Sequence, residues 1–292
     1  MDETLPSDSD PERSPVLKAL RLLAHLASSK ESVALADLSR ALKLPKPTTY
    51  RLARSLEDGG FVHKDELTRR YRVGATFDDL ALSALRHGAG HARRRLLMNE
   101  LAERVGARVN LVVLKAGNLS FVEWVDSTAP LRIDLGSGAP MPIHGSASGK
   151  LLLAFGSAEL QEHVLRTAPF TAYTKTTITS ARGLARELAK IRKRGFAEDD
   201  QELLPGVNCL AVPVYNRVGD VVAGVAVMAP AAVLPLATLR GHLDDIRRCA
   251  AGISAELGWR GEAAADNDPQ PGERTRRRAS TRVRQPGGRP AT

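Results

Sequence analysis

Cysteine is nearly absent: Cys209 and Cys249, 40 positions apart, are the only two in a chain of 292 residues. No Cys-x-x-Cys or Cys/His spacing accompanies them, which excludes a disulfide framework and offers no ligand set for a structural zinc. Such usage suits a reducing cytosol. The acidic, polar N-terminus through Asp10 lacks the basic and apolar regions of an export signal, so the expected compartment is the cytoplasm. Asn118-Leu119-Ser120 matches a glycosylation acceptor, but without export the match is coincidental. A continuous apolar run is also missing. The 19 residues Val221 to Leu239 carry no charge, about the length of a membrane span. Pro230 and Pro235 interrupt them, however, and the β-branched stretch Val221 to Met228 reads as a buried strand, followed by a loop and the start of a final helix. No internal repeat and no membrane segment is expected.

What is present is positive charge, a formal +9, in a chain long enough for a small domain and one of ordinary size. A polyanionic partner suits that balance. Between Leu35 and Arg72, nine Lys or Arg face five acids. The apolar positions Leu35, Leu38 and Leu42 give a first short helix, Leu44-Pro45 breaks it, and Lys46-Pro47-Thr48-Thr49-Tyr50-Arg51 opens a second with Leu52 and Leu56 as its buried stripe. Thr48, Thr49, Arg51, Arg54 and Ser55 are then expected on the outer face. In a helix-turn-helix this second helix enters the major groove, which requires short polar side chains near its start and basic ones beside them. Phe61 to Lys64 and Arg70 to Val73, around Asp65 to Thr68, read as a wing. The expected DNA contacts are Lys46, Thr48, Thr49, Tyr50, Arg51, Arg54, Arg69 and Arg70. Two amphipathic helices and a hairpin also occur in domains that touch no nucleic acid; the coincidence of helix start, hairpin and charge favours double-stranded DNA.

Residues 1–12 read as disordered. Residues 13–75 form the expected winged domain, opening with a helix from Ser14 to Leu26 whose stripe is Leu17, Leu20, Leu23 and Ala24. Residues 76–90 are a linker helix (Thr76 to Leu85) and a hinge at His87-Gly88-Ala89-Gly90. In the second domain, 91–259, a helix His91 to Val105 stops at Gly106. Strands Val109 to Lys115, Leu119 to Asp126 and Leu131 to Leu135 follow, then helices Ala147 to Phe155 and Ser180 to Arg194. Strands Cys209 to Tyr215 and Val221 to Met228 precede a helix ending near Leu257. Strands in adjacent pairs with helices at either end imply an antiparallel α+β sheet. Residues 260–292, with eight Arg against four acids, read as a flexible basic tail, either adding nonspecific DNA attraction or inert.

From Gly195 the chain runs Gly-Phe-Ala-Glu-Asp-Asp-Gln-Glu202, then Cys209-Leu210-Ala211 and Val214-Tyr215-Asn216. This resembles the hallmark of the IclR family of transcriptional regulators. Similar agreement holds for Arg21-Leu22-Leu23, Leu44-Pro45-Lys46 with Thr48 and Arg51, Tyr71-Arg72-Val73-Gly74, and Pro142 to Lys150 (Pro-Ile-His-Gly-Ser-Ala-Ser-Gly-Lys). The resemblance covers residues 13 to 258. It implies a winged helix-turn-helix, a linker helix and a GAF-like effector-binding domain in a homodimer or dimer of dimers, with no catalysis. It also implies that the effector lies over the sheet, lined by positions matching Ala147, Ser148, Asp199 and Cys209. Two serines expected there in small-acid binders are Ala226 and Met228 in this chain, which points to an aromatic or longer-chain acid.

Read as chemistry, a sheltered carboxylate needs donors, which Ser146, Ser148 and the backbone N–H groups near Gly149 supply. The candidate effector contacts are therefore Ser146, Ala147, Ser148, Asp199, Cys209, Ala226 and Met228. His144 either adds a donor or is satisfied within its own loop, and Asp199, Asp200 and Glu202 either order their loop or form a solvated acidic turn. Cys209 invites a nucleophilic reading, but it opens an apolar strand with no evident base. Neither metal nor cofactor is expected. An effector-responsive DNA-binding regulator is the favoured function. The alternatives are an effector-independent architectural protein, or an enzyme or carrier with a vestigial DNA-binding domain.

Overall fold

The structure is a computed structural model that describes residues 14–261 except Lys30, Ala89, Ala116 and 129–140. Its N-terminal part packs α1 (Pro15–Ser28), α2 (Leu35–Leu42) and α3 (Lys46–Asp58) beside a hairpin of β1 (Val62–Lys64) and β2 (Tyr71–Val73). Leu22, Leu23, Leu26, Leu38, Leu42, Ala53, Val62 and Tyr71 form one core. The stripe expected on α1 is corrected: Leu17 and Leu20 are 40% and 54% exposed, whereas Leu22, Leu23 and Leu26 point inward. Leucines cover so much of this helix that periodicity alone does not choose the inward arc. The turn between α2 and α3 bends at Lys43, whose left-handed φ of 53° lets the Leu44 N–H reach the Ser39 carbonyl at 3.0 Å. Val33 bridges to Tyr71, tying the α1–α2 connection to the wing.

The linker helix, α4 (Ala75–His87), extends beyond its expected ends and has no fully buried residue. Its Phe77 packs against the winged core, while Leu82 and Leu85 pack against the core of the second part, so α4 spans both. At its N-terminus Gly74 meets Gly60 so closely that a Cβ would lie 2.2 Å from the Gly60 carbonyl oxygen, which only glycine tolerates.

α5 (His91–Val105) ends at Gly106 with φ 69°, and five strands follow in the sheet order β4-β3-β7-β6-β5, every pairing antiparallel. They are β3 (Arg108–Lys115), β4 (Asn118–Val125), β5 (Ala197–Asp200), β6 (Val207–Tyr215) and β7 (Val221–Pro230). The architecture is thus α+β, as expected. Side chains alternate across a strand. Val109, Leu111, Leu210, Val212, Val225 and Val227 meet one helical layer, α5 with α10 (Leu243–Glu256). The opposite face is built from small residues, Ala197, Ala211 and Ala226, and receives α6 (Ala147–Phe155) and α8 (Ala181–Arg194). Small side chains let α6 approach: a Cβ on Gly224 would already lie 3.0 Å from the Leu151 side chain.

Two elements are additional to those expected: β5, and α7 (Ala158–Thr167), which packs on α6 and α8. The closing helix is two, α9 (Leu236–Gly241) and α10. The expected strand Leu131 to Leu135, residues 1–12 and the tail beyond Gly261 lie outside the described residues.

Candidate functional site

The outer face of α3 presents Lys46, Tyr50, Arg51, Arg54 and Ser55 to solvent, with Thr48 half-buried and Pro47 in the first turn. Thr49 corrects the sequence expectation. It is fully buried, and its hydroxyl donates to the Pro45 carbonyl at 3.2 Å, so it serves the fold and reaches no base. The stripe read from Leu52 and Leu56 starts one turn earlier, with Thr49, Leu52, Ala53 and Leu56 at i, i+3, i+4 and i+7. Arg54 is engaged by Asp58 at 3.1 Å. On the wing Arg69 is exposed, whereas Arg70 donates to the Ser32 carbonyl at 2.8 Å and so braces the wing against the α1–α2 loop. The Lys64 ammonium lies 5.9 Å from the Tyr50 ring centroid and 5.6 Å from that of Tyr71, holding wing and helix together. The result is a basic surface with a free helix edge.

In the sheet domain the strand register aligns the expected effector residues. Asp199, Cys209 and Met228 form one row across β5, β6 and β7; Ala197, Ala211 and Ala226 form the next. Cross-strand partners share a face, and Ala226, Ala211 and partly buried Cys209 pack with the α6 cluster, so both rows lie beneath α6. Ala147 and Ser148, in its first turn, are buried above them. Ser146 is instead occupied as the helix cap: its hydroxyl accepts from the Gly149 N–H and donates to the Pro142 carbonyl, each at 3.1 Å. This corrects its expected role as a ligand donor. His144 is buried, its Nε2 3.0 Å from the Thr171 carbonyl oxygen and its ring beside Phe170 and Tyr173. Nearby a pocket of about 490 Å³ opens between the β3–β4 turn, Met141 to His144 and α7.

The polar end of this floor is charged. Lys150, the only charged residue of α6, is fully buried and ion-paired with Glu202. Asp199 accepts the Glu202 N–H at 2.6 Å, yet burial still raises its carboxyl to a pKa of about 7. Burial likewise raises Glu202, against the pull of Lys150. Thr174 and Thr177 hold the Glu202 carbonyl, so Asp199 and Glu202 order their loop, whereas Asp200 is exposed to solvent. Burial first, then the neighbouring Asp199, pushes the Cys209 thiol far above its usual range, which suppresses the thiolate a nucleophile needs. Lys150 was missed from the sequence, although a lone Lys within Ala-Ser-Gly-Lys-Leu-Leu-Leu-Ala-Phe was the available signal.

Residues 89–255 match the family described as "Bacterial transcriptional regulator IclR C-terminal", and residues 15–66 match the "IclR helix-turn-helix domain". The chain belongs to the IclR family. It is therefore a DNA-binding transcriptional regulator with a C-terminal effector-binding domain. Similarity to the transcriptional regulator SauR of Cupriavidus necator is 31% identity over 242 residues, covering 83% of this chain and 96% of that protein. A crystal structure of an IclR-type regulator from Silicibacter sp. TM1040 aligns with TM-score 0.56 and 29% identity, covering 84% of this chain and 97% of the other. An IclR homologue from Microbacterium hydrocarbonoxydans, solved with 4-hydroxybenzoate, shares the fold at TM-score 0.51 and 24% identity, covering 84% of this chain and 99% of its own. Among the described residues, no group of three or more His, Cys, Asp or Glu is arranged to hold a metal, and no helix is long and apolar enough to cross a membrane.

Proposed function

We propose that this IclR-family regulator responds to an aromatic or longer-chain organic acid and reads its operator with the exposed face of α3 and the wing. One observation carries the effector class: Ala226 and Met228, in adjacent rows beneath α6, make an apolar floor beside the polar end at Asp199 and Lys150. A hydroxyl-lined floor suits a very small polar acid, whereas an apolar one suits a ring or chain. The 4-hydroxybenzoate in a protein of the same fold supports the same class.

The working unit is a homodimer or dimer of dimers in the cytoplasm, without catalytic turnover. Leu80 of α4 is 62% exposed and Val16 of α1 is 67% exposed, together with Leu17 and Leu20, which favours a second copy covering these helices. The division into a winged domain (13–75), linker (76–90), effector domain (91–259) and basic tail (260–292) belongs to the same reading.

The experiment is selection of bound duplexes from a random-sequence pool by the full chain. Anisotropy on the enriched duplex then follows, with and without 4-hydroxybenzoate, hexanoate or pyruvate. Enrichment of one motif, with affinity altered by an aromatic or longer-chain acid, is the expected result. Equal binding to all duplexes with a steep salt slope would replace this reading with an architectural one.

A further inference from the structure

A cavity of about 530 Å³ opens where the linker meets the effector domain, lined by Arg86 and His87 of α4, His91 and Arg95 of α5, and Val122 to Trp124 of β4. It is separate from the strip beneath α6. β4 and β5 are opposite edges of the sheet, and Glu123 stands opposite Leu111, which belongs to the core on the α5 side. The cavity therefore lies at the other edge and on the other face from Asp199 and Cys209.

Its wall carries two guanidinium groups and two imidazoles against one carboxylate, that of Glu123. Arg86 and His87 are exposed, and the Arg95 side chain is 53% exposed. Arg86 uses one nitrogen to hold the Phe121 carbonyl at 3.0 Å, and Arg95 uses one to reach Glu123 Oε1 at 3.3 Å, which leaves the rest of each planar fork for a ligand. Glu123 is placed differently. Only 6% exposed, it has its Oε2 3.5 Å from His91 Nδ1 and from Arg94 Nε, and takes a hydrogen bond from neither. A buried carboxylate oxygen without a donor is costly, and beside an open cationic cavity it suits a ligand that is anionic yet carries a hydrogen to donate.

We propose that this cavity is a second ligand site, which binds a proton-bearing phosphate group and ties the linker helix to the effector domain. Inorganic phosphate carries at least one O–H near neutrality, and a phosphate monoester, with a second pKa of about 6, carries one in its monoanionic form. Arg86 and Arg95 take phosphate oxygens through charge-assisted N–H donors, with His87 and His91 beside them. The remaining hydroxyl donates to Glu123 Oε2, displacing His91 from its 3.5 Å approach. Sulfate, of similar size and charge, has no such hydrogen and leaves Oε2 unpaired. Because Arg86 and His87 belong to α4 and the other groups to α5 and β4, an occupied site spans the junction through which the winged domain is attached. Phosphate binding and operator affinity are then linked, each altering the other by the same factor.

The test uses the full chain in phosphate-free buffer, titrated calorimetrically with inorganic phosphate and, at matched ionic strength, with sulfate. Phosphate should bind about tenfold more tightly than sulfate, a comparison that needs no variant to fold. Arg86→Gln with Arg95→Gln should weaken phosphate about tenfold or more at an unchanged melting temperature, whereas Arg51→Ala on α3 and Met228→Ser beneath α6 should leave it as in wild type. Anisotropy on the selected duplex should show an operator affinity that phosphate shifts and sulfate does not, in wild type but not in the double variant. Equal binding of phosphate and sulfate overturns the site. So does a phosphate affinity lost with Arg51→Ala and kept by the double variant, which would put the anion on the DNA-binding surface. Binding at the cavity with operator affinity unmoved overturns its tie to the linker. The aromatic-acid reading stands or falls separately, since its ligand and its residues are different ones.

Discussion

Asp199 stands directly opposite Cys209 in the β5–β6 ladder, so a carboxyl and a thiol share one buried strip beneath α6. Burial raises both groups, and the Asp199 carboxylate raises the Cys209 thiol further. The strip therefore offers a carboxyl that takes up its proton near neutrality beside a thiol that stays un-ionised.

The first prediction concerns pH. Asp199 has its ordinary pKa of 3.8 when the chain unfolds and about 7 when folded, so the folded chain binds more protons between those values. Stability from this group is fully present below the lower value and is lost as pH rises toward the upper. Asp199→Asn keeps an acceptor for the Glu202 N–H but does not titrate. Its melting temperature relative to wild type should climb from pH 4 to pH 7 and level off above, a gain of at most about 4 kcal/mol. A difference that stays constant over this range would show that Asp199 titrates normally.

A second prediction separates two neighbours on α3. Thr49→Ala removes a buried hydroxyl bonded to Pro45 and should destabilise the winged domain by about 1 kcal/mol, with operator affinity unchanged once folded. Arg51→Ala alters an exposed side chain and should leave the melting temperature within error, while weakening operator binding by about 1–3 kcal/mol. Urea unfolding and anisotropy on the selected duplex distinguish them. If Thr49→Ala lost operator affinity at full stability, α3 would sit in the groove on a different face.

What the sequence disclosed follows from how much each segment decides locally. α5 and α6 were legible because apolar residues run through each and a following glycine, Gly106 or Gly156, marks its end; Gly106 even adopts the left-handed φ its position demands. β5 was not legible. Ala197-Glu198-Asp199-Asp200 lacks alternation and β propensity, and becomes a strand only because the β6 main chain offers it a ladder. α7 buries Val164 alone, too faint a stripe to stand out. The candidate site was half legible: the family motif pointed to Asp199 and Cys209, while their alignment with Met228 in one row emerges only from the β5–β6–β7 register, long-range pairings that no local pattern encodes.

The third prediction lies where the linker meets the effector domain. Arg94, almost wholly buried, donates to the Leu85 carbonyl at the end of α4 and sits 3.5 Å from both Glu123 of β4 and Glu256 of α10. Arg94→Met leaves these carboxylates without their central partner and should destabilise the chain by about 3–5 kcal/mol. Adding Glu123→Gln should recover part of the loss, a coupling that a double-mutant cycle in urea measures. Strict additivity of the two changes would show that the cluster carries no joint energy.

The last prediction tests the apolar floor. Ala226 and Met228 are 2% and 6% exposed, so serines there would bury two hydroxyls and remove the thioether surface of Met228. For a ring or chain lying on this floor, the double change Ala226→Ser with Met228→Ser removes apolar contact and adds groups that the ligand body cannot satisfy, a loss of about 1–3 kcal/mol. A very small, polar acid should respond the other way, because the same hydroxyls offer it donors. Calorimetry of 4-hydroxybenzoate and of pyruvate on wild type and the double variant therefore gives a crossing pattern, with the aromatic acid weakened and the small acid strengthened. Tighter binding of pyruvate than of any aromatic acid by the wild-type chain would assign the floor to a small polar effector instead.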